Sequence, residues 1–322
     1  MLCHGAPEAF PSAGIVGVVV FFALSGYLIT SLLVDELERT GRVDLRAFYL
    51  RRARRLVPAL LAMVAGVIGV TVALDPIGDR HLLARTVAIA VTWTGDLPFG
   101  HASPATFHLW TLAVEEQRYL VWPIVLALVV PRRPRLALAA VGTACALACL
   151  ATTLWFQAAP DLAYSLPTSW AGCLAIGATA RMCQDRITVP HRGPRLALSA
   201  LVLLGVVPWR GRTLTYLVGG PTIAVLAVAL VLGWRSWTDI AVPAPGWVGA
   251  WRATGARVLV RLGTVSYAAY LWNYPLTIWM LPHLGAAAGA TAAITTLVAA
   301  AVSWRVVERP FRRPRAPVLA VR

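Results

Sequence analysis

Across its 322 residues the chain is 58% hydrophobic and only 13% charged, with a mean hydropathy of +0.69. Soluble domains carry roughly a quarter of charged residues, so this composition excludes an ordinary soluble domain and predicts a polytopic membrane protein. The net charge is +15 and all 29 cationic side chains are arginine; they sit between apolar runs rather than in one stripe with aromatics, which argues against a nucleic-acid partner and makes them reporters of membrane orientation.

Apolar runs cover residues 14–34, 56–74, 109–130, 136–156, 167–182, 196–207, 217–234, 262–281 and 286–302. Most approach the roughly 20 residues a helix needs to cross a bilayer, and 196–207 is short. Helices satisfy their backbone groups internally in hydrocarbon, and the alternation of a membrane barrel is absent, so the expected fold is an all-α transmembrane bundle. The first run is too long for a cleaved signal peptide, and the arginines that follow make it a stable span.

The cluster RTGRVDLRAFYLRRARR (residues 39–55) separates the first two runs and belongs in the cytoplasm by the positive-inside rule, which places the residues before 14 outside. Further basic loops at 131–135, 181–195 and 235–261, and the tail RPFRRPR, also favour the cytoplasm. QAAPDLAYS and PHLGAAAG carry no arginine and suit the outside, while WRGRT near Arg210 dissents mildly. The alternation closes only if the apolar piece 82–95 does not cross, leaving 75–107 as an outer loop that dips back or lies on the surface. Nine spans then remain, and the C-terminus is cytoplasmic in a multi-pass protein of the plasma (inner) membrane. Residues 1–313 read as one membrane-embedded domain and 314–322 as a short cytoplasmic tail. The five cysteines show no CxxC or metal spacing, and Cys145 and Cys149, one turn apart, read as packing residues. No metal site and no bound cofactor are expected.

The stretch HLWTLAVEEQRYLVWP (residues 108–123) carries charge into an apolar run. On a helix Glu115, Arg118, Tyr119 and Trp122 share one face and Glu116 points elsewhere. An ionised group near the bilayer centre costs about 2.5 to 3.5 kcal/mol, so this polar face belongs inside a bundle, with a partner or a task. A Glu115–Arg118 pair that locks helices together is one reading, and a substrate-linked role is the other. His108, at the outer mouth, either caps the helix or titrates in catalysis. FYLRRARRLVPALL places Arg51, Arg52, Arg54 and Arg55 at the cytoplasmic start of a span, as an orientation anchor or a dock for phosphates, to which the forked guanidinium is suited. SYAAYLWNYPL (residues 266–276) brings Ser266, Tyr267, Tyr270, Trp272 and Tyr274 into a span, as an interfacial aromatic belt or a polar lining for a substrate path.

In this order, GVVVFFALSGYLITSLLVDELERTGRVDLRAFYLRRARRLVPALL (17–61), HLWTLAVEEQRYLVWP, GTVSYAAYLWNYPL (263–276) and VVERPFRR (306–313) resemble the acyltransferase 3 family of integral-membrane O-acyltransferases over nearly the whole chain. The resemblance implies about ten membrane helices, an acyl-CoA or similar co-substrate entering from the cytoplasm, and transfer to a hydroxyl of a glycan, glycoside or other secondary metabolite. It implies a catalytic role for His4 and Glu115 and donor binding by Arg51, Arg52 and Arg55, and it matches Tyr267, Tyr270, Trp272 and Pro275 to a late family block. From the reading of the residues, His108 is a further catalytic candidate, and the expected substrate path runs along Arg118, Tyr119, Tyr267, Tyr270, Trp272 and Asn273. His4 resembles the histidine that ends the family's first helix, yet the chain starts only three residues before it, so a further upstream helix is expected. Three residues depart from the family pattern: Val19 stands where aspartate is usual, Arg118 where phenylalanine is usual, and Asn273 where histidine is frequent.

Acyl transfer from a thioester to a hydroxyl needs a base for the proton and a stabilising environment for the oxyanion. Histidine suits the first task, and His4 is the expected base. No G-x-S-x-G elbow is present, and LSG (residues 24–26) reads as a packing or kinking element. The rival class is a transporter or flippase of a lipid-linked or glycosylated substrate, which would show the same charged spans and breaks such as GGPT (219–222). An inactive truncated family member is the third reading. The partners expected are membrane lipids, the acyl donor and the acceptor.

Overall fold

The computed structural model describes residues 10–97, 102–209, 211–239 and 246–311. They form α1 (Ala13–Thr40), α2 (Leu45–Ala73), α3 (Leu83–Thr92), α4 (Leu109–Leu128), α5 (Pro134–Trp155), α6 (Pro167–Met182), α7 (Gly193–Val206), α8 (Gly220–Asp239), α9 (Gly246–Leu284) and α10 (Ala288–Ser303), joined by short 3-10 and π turns. Among the described residues there is no strand. Among the described residues, five stretches, Ala13–Thr40, Leu45–Ala73, Pro134–Trp155, Thr215–Trp234 and Ala288–Phe311, are long and apolar enough to cross a bilayer, as a multi-pass membrane protein requires.

That is fewer than the nine crossings expected. The α6 and α7 helices have only 16 and 14 residues, and α4, with 20, carries Glu115, Glu116 and Arg118. The segment expected not to cross contains α3, whose 10 residues reach about 15 Å, half of the roughly 30 Å hydrocarbon core.

The start of α2 differs from the apolar pattern for a local reason. Gly41, at φ +71°, closes α1 as a left-handed cap with its N–H on the Leu37 carbonyl. Asp44 then opens α2, its Oδ1 accepting the Ala47 N–H at 2.8 Å. The helix therefore starts well before the apolar run at 56 and takes in Arg51, Arg52, Arg54 and Arg55. At the GGPT break the chain makes a π turn, Thr215–Gly219, which leads directly into α8.

The chain forms two compact units. The first comprises Met1–Val43, Trp93–Gly100 and His108–Ala244. Its central helix is α1, which packs on α4, α6, α7 and α8, while α6 also packs on α5 and α8. Val19, Phe22, Trp110, Trp170, Tyr216 and Ile223 are buried together in its core. Edge-to-face ring pairs run from Phe22 to Trp110, Tyr164, Trp170 and Tyr216, with centroids 5.1 to 6.2 Å apart. Near the other end of α1, Arg181 pairs with Asp35 at 2.6 Å and the Tyr27 hydroxyl donates to Gln184 at 2.8 Å.

Close backbone approach joins α1 to α6. A Cβ added at Gly26 would run into the Leu174 carbonyl, and one at Gly177 into the Ala23 carbonyl. Small residues permit this contact, and LSG is thus a packing element as expected.

The second unit comprises Asp44–Thr92, His101–Phe107 and Pro245–Arg322. Here α9 packs on α10 and α2, and α3 packs on α2. The Tyr267 hydroxyl donates to the Leu56 carbonyl at 3.3 Å, and Asn273 Nδ2 donates to Thr296 Oγ1 at 3.3 Å. Gly66 lies against the Trp272 ring, which a Cβ there would strike.

Gly177→Val forces α1 and α6 apart and costs about 1 to 3 kcal/mol or more. The expected result is a lowered melting temperature in detergent. Gly17→Ala, where nothing lies within 4 Å of an added Cβ, is the control and leaves the melting temperature unchanged.

Candidate active site

The polar face of α4 docks onto α1 within the first unit. Glu115 is 3% exposed and Tyr119 is 3% exposed. The Tyr119 hydroxyl donates to Glu115 Oε1 at 2.5 Å and is also hydrogen-bonded to Ser25 Oγ on α1. A phenol has one proton, so when Tyr119 donates to Glu115, Ser25 donates the second bond. One turn further on, Trp122 Nε1 donates to Thr30 Oγ1 at 2.9 Å, and Thr30 donates to the Gly26 carbonyl at 2.7 Å. The spacing that put Glu115, Tyr119 and Trp122 on one face thus has a matching set, Ser25 and Thr30, on α1.

Arg118 takes a different direction from the Glu115 pairing considered above. Its Nη1 donates to Cys145 Sγ on α5 at 3.4 Å, and among the described residues no carboxylate lies within ion-pair distance of it. A cavity of about 40 Å³ lies beside Arg118, Tyr119 and Trp122, with Gly26, Leu174 and Thr179 on its other walls.

The next residue, Gln117, anchors the outer loop. Its Nε2 donates to Asp96 Oδ1 at 3.0 Å and to the Trp93 carbonyl at 3.3 Å. Asp96 is 1% exposed, and its Oδ2 and the Trp93 indole nitrogen are both buried without a hydrogen-bond partner. Trp93 holds φ at +52°, a conformation a bulky residue adopts only where its surroundings enforce it. Burial pushes the Asp96 carboxyl up to about 6, although its bonds to backbone and Gln117 pull the other way.

His108 is buried at the start of α4, and its side chain does not cap the helix. Glu116 is buried as well. His4 lies outside the described residues, as does the tail 314–322. Arg51, Arg54 and Arg55 are exposed on α2 and Arg52 is half-buried. Tyr267, Tyr270, Trp272 and Asn273 lie on one stretch of α9, and Asn273 is buried against α10. The structure thus joins Glu115 to Tyr119 in the first unit, while the arginine block and the α9 aromatics belong to the second. Sequence reasoning missed Ser25 as a partner of the site and missed Asp96 altogether. Among the described residues no group of three His, Cys, Asp or Glu side chains could hold a metal ion.

The arrangement is a buried hydroxyl–phenol–carboxyl chain inside a membrane bundle. The acyltransferase domain of the acyltransferase 3 family matches residues 3–307, and the chain belongs to that family. It is 28% identical to the peptidoglycan O-acetyltransferase OatA of Listeria monocytogenes, over 95% of this chain and 52% of that protein. A putative peptidoglycan O-acetyltransferase of Bacillus subtilis, YrhL, is also 28% identical, over 94% of this chain and 51% of its own length. The O-acetyltransferase OatA of Staphylococcus aureus is 38% identical over 133 residues, which cover 38% of this chain and 22% of that protein. The chain spans about half the length, or less, of these relatives. No solved structure matches the chain.

Two outcomes follow from the geometry. Tyr119→Phe leaves Glu115 buried with a partner lost, so stability falls by about 1 to 3 kcal/mol, and adding Ser25→Ala costs little more because that link is already broken; denaturation of the single and double variants measures this. Between pH 3.8 and about 6 the folded chain keeps a proton on Asp96 that the unfolded chain has released. Its contribution to stability therefore falls as pH rises through that window and stays low above it. Asp96→Asn flattens this part of the melting-temperature profile.

Proposed function

We propose that the chain is a membrane O-acyltransferase that moves an acyl group from acyl-CoA or a similar thioester to a hydroxyl of a glycan, glycoside or other metabolite. The observation that carries this reading is the buried Ser25–Tyr119–Glu115 chain, which lies within residues 3–307 that the family model matches. Peptidoglycan is the acceptor named for two of the relatives, and a glycan hydroxyl is the acceptor class that this similarity supports.

In the reaction the acceptor oxygen attacks the thioester carbonyl carbon, a histidine takes the hydroxyl proton, and the C–S bond breaks to release the thiol after protonation. We assign the base to His4 or His108. Glu115, through Tyr119 and Ser25, fixes the polar face of α4 and supplies an oxygen or proton relay at the reacting end. Arg51, Arg52 and Arg55 hold the phosphates of the donor's nucleotide by charge-assisted, forked hydrogen bonds. Tyr267, Tyr270, Trp272 and Asn273 line the acceptor's route. The basic loops favour a C-terminus on the cytoplasmic side, where the donor enters.

Purified full-length protein in lipid nanodiscs is supplied with acyl-labelled CoA and a soluble glycan acceptor. Label on the acceptor is expected, together with free thiol in equal amount. Glu115→Gln is expected to lower the rate at least a hundredfold. Arg51→Gln with Arg52→Gln should raise the donor KM and leave kcat within a fewfold. No release of thiol, with movement of intact glycan across the sealed bilayer of proteoliposomes, would identify a flippase instead.

A further inference from the structure

The first unit holds a second, larger cavity that the reading above does not use. It is a groove of about 530 Å³ between α5, α6 and α8, within the roughly 300 to 1,000 Å³ typical of small-molecule sites. Its wall along α8 and the preceding turn runs from Tyr216 to Leu232, about 24 Å at 1.5 Å per residue. The lining is almost wholly apolar and rich in small side chains.

Glycine in a membrane helix normally serves close packing, as Gly26 and Gly177 do here. Gly142 on α5 and Gly172 on α6 do the opposite. Both line the groove, and a Cβ added at either meets nothing within 4 Å. Their missing side chains open space rather than close a helix contact. Tyr216 also lines the groove, edge-to-face with Trp170 at 5.2 Å and with its hydroxyl donating to the Pro160 carbonyl at 2.8 Å.

The groove reaches the candidate active site through one cation. Cys145 lines the groove, and its sulfur accepts from Arg118 at 3.4 Å. The small cavity beside Arg118 and Tyr119 shares Ala175 and Thr179 with the groove. An acetyl group needs no more than the small cavity of about 40 Å³, and the adjoining space is more than ten times larger. A long apolar trough with a guanidinium free of carboxylate partners at its edge is complementary to a hydrocarbon tail with an oxygen-bearing end.

We infer that the α5–α6–α8 groove receives the hydrocarbon tail of the acyl group being transferred, with its carbonyl end toward Arg118, so that this chain handles acyl groups longer than acetyl. This deepens the acyltransferase reading and rests on it. It also sets the chain apart from relatives named as O-acetyltransferases. Arg118, where the family block usually has phenylalanine, is the residue that supplies the polar end of the site.

The test uses the purified full chain in nanodiscs and two independent measurements. In the first, acetyl-, octanoyl- and palmitoyl-CoA compete as donors for one acceptor. The longer donors are expected to exceed acetyl at least tenfold in kcat/KM. Gly172→Leu fills the groove and is expected to reverse that preference while acetyl transfer and melting temperature hold; Gly142→Leu, on the opposite wall, should act in the same direction. In the second, a fluorescent fatty-acid probe is displaced by octanoate or palmitate but not by acetate, and Gly172→Leu weakens that displacement about tenfold. Arg118→Gln removes the advantage of palmitate over hexadecanol as a competitor.

Preference for acetyl in the unmodified chain, or equal loss with every donor in Gly172→Leu, overturns the inference and leaves the acyltransferase reading standing. If no donor is used at all, the acyltransferase reading fails, and the claim that the groove holds an acyl tail is decided by displacement alone. Displacement by diacyl phospholipid as strong as that by palmitate identifies the groove as a seat for bilayer lipid and overturns it as well.

Discussion

The arrangement of the first unit depends on one constraint: polar groups taken into an apolar bundle must find partners. The α4 helix brings in two carboxyls, a guanidinium, an amide, a phenol and an indole within eight residues, from Glu115 to Trp122. Each exposed to hydrocarbon would cost several kcal/mol. Their known contacts distribute α4 over three neighbours. Tyr119 and Trp122 hold it to α1 through Ser25 and Thr30, Arg118 to α5 through Cys145, and Gln117 to the loop at Trp93 and Asp96. The charged helix therefore determines where other elements sit, and α1, with its small residues, can in turn pack closely on α6.

A partner set of this kind also fixes chemistry. Glu115 at 3% exposure is held in one orientation by a phenol that is itself held by a hydroxyl from another helix. Preorganisation of that sort is what acyl transfer needs, because charge develops on oxygen only in the transition state and has to be met without rearrangement. The orphaned Asp96 oxygen and the positive φ of Trp93 lie at the loop that Gln117 ties to the same helix. Strain and an unsatisfied buried group persist where their surroundings impose them, and both are tied through Gln117 to the helix that carries Glu115 and Tyr119.

The pattern of helix faces was legible in the sequence because it rests on periodicity. Glu115, Tyr119 and Trp122 follow the spacing of one face, and that face is the one that makes contacts. That 82–95 does not cross was legible instead in the alternation of basic and arginine-free loops, and the ten-residue α3 within it is too short to span a bilayer. The number of crossings was less readable: α6 and α7, expected as spans, have helices of 16 and 14 residues, near or below the length of an ordinary crossing. Partners across helices were not readable at all. Nothing local marks Ser25 as the mate of Tyr119, or Cys145 as the acceptor for Arg118, because such pairing depends on packing between segments 94 and 27 residues apart. Proximity in sequence suggested Glu115 for Arg118, but the side chain reached the next helix instead.

Val19 and Arg118 show how the departures from the family pattern fit together. Val19 is 0% exposed in the apolar core of α1, among Phe22, Trp110 and Ile223. Valine is an apolar side chain that suits the packing of this core. Arg118 adds a charge in the same unit, and the structure gives it a sulfur, a weak acceptor, in place of a carboxylate. An apolar residue thus stands where the family has an acid, and a base stands where it has an aromatic ring. The positive charge lies beside the small cavity and next to Cys145, which lines the groove. A site that must recognise the oxygen end of an apolar tail gains from that change, because a guanidinium without a carboxylate partner keeps its hydrogen-bonding capacity for the ligand.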